Sequence, residues 1–233
     1  MLVSRELPDL LTGMATTRAI RRIAPDPIPD DDLSTILWHA TRAPSGTNRQ
    51  PTRFVVLRDG DTARRAKALL GGGFRAGWET KRDDAGYTAG SALDPDSPKG
   101  RQRAAMQHFV DHFEEIPVVV LACLVRYREP TPTEGASVYP ACQNLLLAAR
   151  ALGYGGVLTG WHAVVESGLR EIVGIPDGVA IAATIPLGRP LGNHGPVRRL
   201  PIGDVVFDGV WGESATWVSD PPGTRFAGPP PTP

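Results

Sequence analysis

Val118 to Val125 reads Val-Val-Val-Leu-Ala-Cys-Leu-Val, eight residues with no charged group and no hydroxyl. A strand with one wet face alternates apolar and polar side chains, because successive side chains point to opposite faces. An unbroken apolar run therefore asks for cover on both faces, as in a central strand. Val179 to Leu187 is a second buried run, and Phe54 to Leu57 is a shorter one.

The cover is legible as helices at 3.6-residue spacing. Leu7, Leu10, Leu11 and Met14 open the chain as a short helix. Thr16 to Pro29 carries Pro25, Pro27 and Pro29 and is extended or irregular. Asp30 then caps a helix whose first turn holds Asp31 and Asp32, placed to suit its dipole. Leu33, Ile36, Leu37 and Ala40 form its buried face, and Pro44-Ser45-Gly46 ends it. A helix from Asp61 stops before Gly71-Gly72-Gly73. Residues 71–104 are rich in glycine and charge, lack periodicity and read as a mobile excursion. Gln102 to Glu115 returns to helix, with Met106, Phe109, Val110 and Phe113 on one face. Gly135 to Leu152 is the strongest helix, stopped by Gly153. Gly155 to Trp161 is strand or turn, and Glu166 to Val173 is helical. Residues 203–218 suggest one further strand, crossing to a partner subunit. Residues 1–220 thus make one domain of class α+β, with a sheet dressed in helices that do not strictly alternate with strands. Residues 221–233 are a Pro/Gly-rich tail, extended or disordered.

Charge narrows the partners. Lysine plus arginine and aspartate plus glutamate number 25 each, a balance that offers no field for nucleic acid or a membrane surface. Cys123 and Cys142 are too few for a disulfide scaffold and lie in apolar runs, so buried thiols in a reducing cytoplasm are expected. The N-terminal stretch does not read as a signal peptide, and no apolar run is long enough to span a bilayer.

Three segments carry chemistry. Arg18, Arg21 and Arg22 lie close together on irregular chain, where guanidinium forks can converge on one phosphate; alone they equally suit a solvated face. Ala43 to Pro51 offers hydroxyls, an amide and open backbone N–H groups at Ser45, Gly46 and Asn48, yet these are also ordinary turn residues. Gly153 to Trp161 follows a helix, which excludes a dinucleotide fingerprint. Its exposed backbone at Leu158, Thr159 and Gly160 sits beside an aromatic ring. His108 and His112 stand four apart with no third metal ligand, and a solvated helix face is the better reading. His162 either reaches a substrate or simply begins a helix, and His39 is a surface residue.

In this order, these segments resemble the nitroreductase-like FMN family: a basic N-terminal run, a proline-bearing link, a helix leading into Ala43-Pro44-Ser45…Asn48…Gln50-Pro51, and a strand. Gln143-Asn144-Leu145, Leu152-Gly153-Tyr154-Gly155, Pro186-Leu187-Gly188-Arg189-Pro190 and the pair Arg198-Arg199 continue the likeness over roughly residues 14–205. The resemblance implies a mostly antiparallel sheet among helices in an intertwined homodimer. It implies FMN at the subunit interface, with NADPH or NADH as donor. Arg18, Arg21 and Arg22, with Arg198 or Arg199, would hold the flavin phosphate. Ser45, Gly46 and Asn48 would touch ring or ribityl chain from the other subunit. Leu158, Thr159 and Gly160 would face N5. Phe74, Arg75, Trp78 and Trp161 would shape the acceptor pocket, and no catalytic side chain is assigned. Relatives often carry Arg-Arg-Ser where this chain has Thr17-Arg18-Ala19. The activity implied is ping-pong hydride transfer from NAD(P)H through the flavin to a nitroaromatic or quinone. Other acceptors, such as an enone or halogenated aromatic, and a flavin-binding protein without turnover stay open.

Overall fold

The computed structural model describes residues 9–227. Its centre is a four-stranded, wholly antiparallel sheet of β1 (Thr52–Leu57), β2 (Val118–Val125), β3 (Gly155–Gly156) and β4 (Val179–Gly188), in the order β1-β2-β4-β3. Thr52 faces Leu124 and Leu57 faces Val119, while Val118 faces Leu187.

The apolar run in β2 is explained by cover on both sides. Val119, Leu121 and Cys123 enter one core with Leu70, Phe74, Trp78, Phe109 and Phe113. These come from α3 (Asp61–Asp84), α4 (Pro98–Asp111) and the 3-10 turn that follows α4. Val118, Val120, Ala122 and Leu124 enter the other core with Ile36, Ala40, Cys142 and Leu145. Those belong to α2 (Asp30–Ala40) and α5 (Tyr139–Ala151). Burying a Val or Leu side chain contributes roughly 1.5–3 kcal/mol, so this strand anchors both layers. Cys123 and Cys142 are both buried, in opposite layers, and burial pushes each thiol up to about 11.

Several boundaries differ from expectation. α3 does not stop at Gly71 but runs through all three glycines to Asp84. A 3-10 turn at Gly90–Leu93 and α4 fill most of what reads as irregular chain. Gly71 and Gly73 fit because neighbours crowd them. A Cβ at Gly71 would lie 2.3 Å from a Glu114 carboxylate oxygen, and one at Gly73 would lie 2.7 Å from Val165 Cγ1. α2 is capped by Pro29, one residue before Asp30, and its first turn holds all three aspartates. α5 starts at Tyr139, after a separate 3-10 turn at Glu134–Ser137. The opening helix, α1, spans Leu10–Thr16; Leu7 lies outside the described residues. Residues 203–218 form no strand, only a bridge between Phe207 and Ser214. Of the tail, Phe226 bridges Arg199, and residues 228–233 lie outside the described residues. α6 spans Glu166–Val173 and ends on Gly174 in the left-handed region. Among the described residues no helix is long and apolar enough to cross a membrane.

Candidate functional site

The basic N-terminal run is strapped to the free edge of the sheet. Ile20 N–H donates to Gly156 O at 2.9 Å, Ala24 N–H donates to Arg189 O and Leu191 N–H donates to Arg22 O. This approach needs glycine in β3: a Cβ at Gly155 would sit 2.7 Å from Ile20 Cγ1, and one at Gly156 would sit 2.4 Å from Pro186 O. The glycine cluster thus serves close backbone packing.

The strap presents its arginines outward. Arg18 and Arg22 are exposed and Arg21 is half-buried. The later chain returns alongside: Gly195 N–H donates to Thr16 O and Val197 N–H to Ala15 O. That return brings exposed Arg198 and Arg199 to the same edge. Among the described residues none of these five arginines pairs with a carboxylate. Burial holds Arg21 below the ordinary arginine range, and the nearby Tyr87 opposes that shift.

His194 and Arg150 join this edge without a clear sequence signal. The His194 ring donates from Nε2 to Tyr154 O, and burial pushes its pKa down, with Arg150 and Arg18 adding repulsion. Arg150 donates to Thr16 Oγ1 at 2.7 Å. They come from the end of α5 and from a proline-flanked loop, and only the return of residues 195–197 unites them.

Just past β3 the chain turns inward. Thr159 exchanges backbone hydrogen bonds with Thr184, at 3.0 and 2.9 Å, so the Thr159 N–H is already committed. The N–H of Gly160 makes no hydrogen bond among the described residues, and a Cβ there would meet nothing within 4 Å. Beside it opens a cavity of about 270 Å³ lined by Arg21, Leu158, Thr159, Gly160 and Trp161, and by Trp78, Lys81, Tyr87, Gln102, Met106 and Phe109 from the other wall.

The structure sorts the four expected acceptor-contact residues. Trp78 and Trp161 line this cavity, and Trp78 is fixed by Nε1–H donation to Gln107 Oε1 at 2.9 Å. Phe74 is fully buried behind Trp161, edge-on with centroids 5.8 Å apart, and is a core residue. Arg75 is spent in a two-pronged pair with Glu114, at 2.7 and 3.1 Å, and turns away from the cavity. Lys81, Tyr87 and Gln102 were hidden from sequence reading because their region lacked a legible period. His162 is 4% exposed and donates from Nε2 to Ile181 O, so it is a structural histidine and not a substrate contact. His108 and His112 stack on each other at 4.4 Å, with His112 bonded to Glu115, and His39 is exposed.

The third segment lies elsewhere. Gly46 to Asn48 form a 3-10 turn in which Thr47 and Asn48 have φ of 50° and 53°, followed by Gln50 at 51°. Left-handed backbone at non-glycine residues costs energy and persists where surroundings enforce it, often at functional sites. Here Ser45 Oγ accepts from Gln50 N–H at 2.9 Å and Ser137 Oγ accepts from Gly46 N–H at 3.2 Å. Ser45 is half-buried, while Gly46 and Asn48 are exposed.

This loop feeds the Thr52 end of β1, at the edge and the end of the sheet opposite to the arginine strap. At ~4.8 Å per strand and ~3.3 Å per residue, the two lie roughly 19 Å apart across the sheet and roughly 20 Å apart along it. Within one chain, they cannot touch the same ring system.

The sequence profile of the nitroreductase family matches residues 14–189. The chain is 31% identical over 209 residues to an NADH dehydrogenase of Thermus thermophilus, covering 85% of this chain and 95% of that one. Among solved structures it resembles a nitroreductase in complex with FMN from Desulfovibrio desulfuricans, with a TM-score of 0.64, 24% identity and coverage of 88% and 98% of the two chains. An NADPH:FMN oxidoreductase from Vibrio harveyi complexed with NAD+ gives a TM-score of 0.63 at 20% identity, covering 88% of this chain and 79% of that one.

Proposed function

Because this chain belongs to the nitroreductase family, we propose that it is an FMN-dependent oxidoreductase passing reducing equivalents from NAD(P)H to a nitroaromatic or quinone in two alternating half-reactions. The observation that carries the reading is the arginine edge. Among the described residues Arg18, Arg21, Arg22, Arg198 and Arg199 lie along one edge without a carboxylate partner, and Arg21 reaches the cavity where the Gly160 N–H has no acceptor. Cations left unpaired and amides left open suit a ligand with a phosphate at one end and a polar heterocycle at the other. Two of the solved structures that share the fold are described with FMN in their names, which supports the same reading.

On this reading, Arg18 and the Arg198-Arg199 pair would hold the phosphate, and Arg21 would face the ring. Gly160 N–H and the Leu158 backbone would meet the ring edge. Ser45, Gly46 and Asn48 would come from the partner chain, since their own chain holds them at the opposite corner of the sheet, and the site would then be made by a homodimer. The flavin would supply hydride chemistry, and the protein would supply orientation and hydrogen bonds. For a nitroaromatic, two electrons move per turnover. An N–O bond breaks, and the oxygen leaves as water with the transferred hydrogen and one solvent proton.

Arg18→Ala removes a charge-assisted contact worth ~1.5–3 kcal/mol, so FMN affinity should fall by roughly ten- to a hundredfold. Flavin fluorescence quenching measures it. Unchanged affinity would show that the phosphate sits elsewhere. Anaerobic mixing with NADH or NADPH then tests turnover: bleaching of the yellow colour and its return with a nitroaromatic mark the enzyme, and lasting colour marks a flavin carrier.

A further inference from the structure

The cavity beside Gly160 has walls of uneven chemistry. Two of its lining residues are cations, Arg21 and Lys81, and none is an aspartate or glutamate. Lys81 Nζ lies 5.7 Å from the Trp161 ring centroid, and Lys99 Nζ lies 5.3 Å from the ring of the lining Tyr87. Among the described residues neither Lys81, Lys99 nor Arg21 pairs with a carboxylate. The nearby arginines on the same helix are engaged: Arg75 is held by Glu114, and Arg82 lies 3.6 Å from Asp83. Cations facing aromatic rings, in a recess without acids, leave a positive potential that a bound anion would satisfy.

The rings set the other half of the ligand. Trp78, Tyr87 and Trp161 form apolar walls that suit a flat ring by stacking or edge contact. At about 270 Å³ the cavity is at the small end of ligand pockets, which run from roughly 300 Å³ upward.

We infer that the acceptor this chain selects is an aromatic ring bearing an anionic substituent, a carboxylate or a phenolate, held by Lys81 on α3 with Lys99 on α4 adding to the field. The inference deepens the flavin reading and rests on it for the reaction, but the recess and its charge stand on their own. Lys81 is exposed on the outer turn of α3, so its replacement leaves the core intact. Arg21 is the poorer probe, because it also serves the flavin.

The test uses the purified full-length protein as isolated, titrated with benzoate and with benzamide, its uncharged counterpart. Trp78 and Trp161 report binding by their fluorescence, and calorimetry provides a second readout. Benzoate should bind at least tenfold tighter than benzamide, and raising the salt should erode that preference. Lys81→Gln should remove most of it and Lys81→Arg should keep it. Equal affinities, or a preference indifferent to Lys81→Gln, would overturn the inference. Displacement of benzoate by an equal concentration of inorganic phosphate would also overturn it, by showing that these cations serve the donor's phosphates. With FMN and NAD(P)H present, the ratio of kcat/KM for 4-nitrobenzoate over methyl 4-nitrobenzoate should fall about tenfold in Lys81→Gln. A protein that prefers benzoate yet takes no FMN would sink the flavin reading alone. One that reduces both nitro compounds without charge preference would sink the inference alone.

Discussion

Two histidines, His162 buried and His194 half-buried, show how a single ring fixes a chain's response to acid. His162 Nε2–H reaches Ile181 O and His194 Nε2–H reaches Tyr154 O, and among the described residues Nδ1 of His194 is buried without a hydrogen-bond partner. A second proton on that ring would therefore place a charged donor where none of the described residues accepts it. Burial accordingly pushes both rings below 6.5, and His108 likewise, helped there by His112 and Arg22. The sign follows. Below 6.5 the unfolded chain takes the protons first, so stability is full above that value and falls as the pH drops through the window beneath it. The carboxylates of Asp9, bonded by Thr12, and Glu134, bonded by Arg126, are held below the usual carboxylate range and do not contribute there. Urea unfolding should show a lower midpoint near pH 5.5 than near pH 7.5, where unperturbed histidine is neutral. Equal midpoints would mean that these rings accept protons freely in the fold.

At the scale of elements, α3 teaches most. A helix interior with three successive glycines gives up roughly 1 kcal/mol per residue against alanine. That is why the sequence argues for a stop at Gly71. The helix continues because Gly71 leaves room for Glu114 and Gly73 for Val164 and Val165, contacts hundreds of atoms away along the chain and invisible to local pattern. A Cβ at Gly72 would meet nothing within 4 Å, so the three should part company on substitution. Gly72→Ala should raise stability by ~0.5–1 kcal/mol, and Gly73→Ala should lower it, both read from denaturant midpoints. A loss at Gly72 would mean that the helix is not continuous there. The same contrast describes what could be read in advance. β2, β4 and α2 carry periods that only one environment satisfies, and they appear where expected. The Arg18–Arg22 strap and the Ala43–Pro51 loop were legible because residue type and order agreed. Lys81, Tyr87 and His194 were not, because long-range folding alone brings them to a site. Phe74 and Arg75 misled for the converse reason: an aromatic and a cation beside glycines look like a pocket wall until Phe113 and Glu114 claim them.

For the whole molecule, the decisive feature is the diagonal separation of strap and loop across one sheet. If two chains complete each other's sites, damage on the two halves should complement. Mixed dimers of an Arg18→Ala chain with an Asn48→Ala chain should keep one intact site in two. Flavin titration should then find about a quarter of the wild-type capacity at high affinity after statistical mixing, or about half in isolated mixed dimers, while each variant's own dimers show none. Statistical mixing with no recovered site would place both halves in one chain. The exposed apolar groups Trp38, Tyr139, Val205, Trp211 and Trp217 give such a pairing ample surface to cover.

The diagonal has a consequence for how the activity behaves in a cell or a cuvette. On the proposed homodimer a lone chain would carry two halves of different sites and no whole one, so it would be silent however well it is folded. Output would then follow the square of chain concentration when dilute and become linear once pairing saturates, by mass action. Cofactor and partner would become each other's allies: every flavin bound would draw a second chain in, and every chain that arrives would sharpen the hold on the flavin. Scarcity of either would switch the other off.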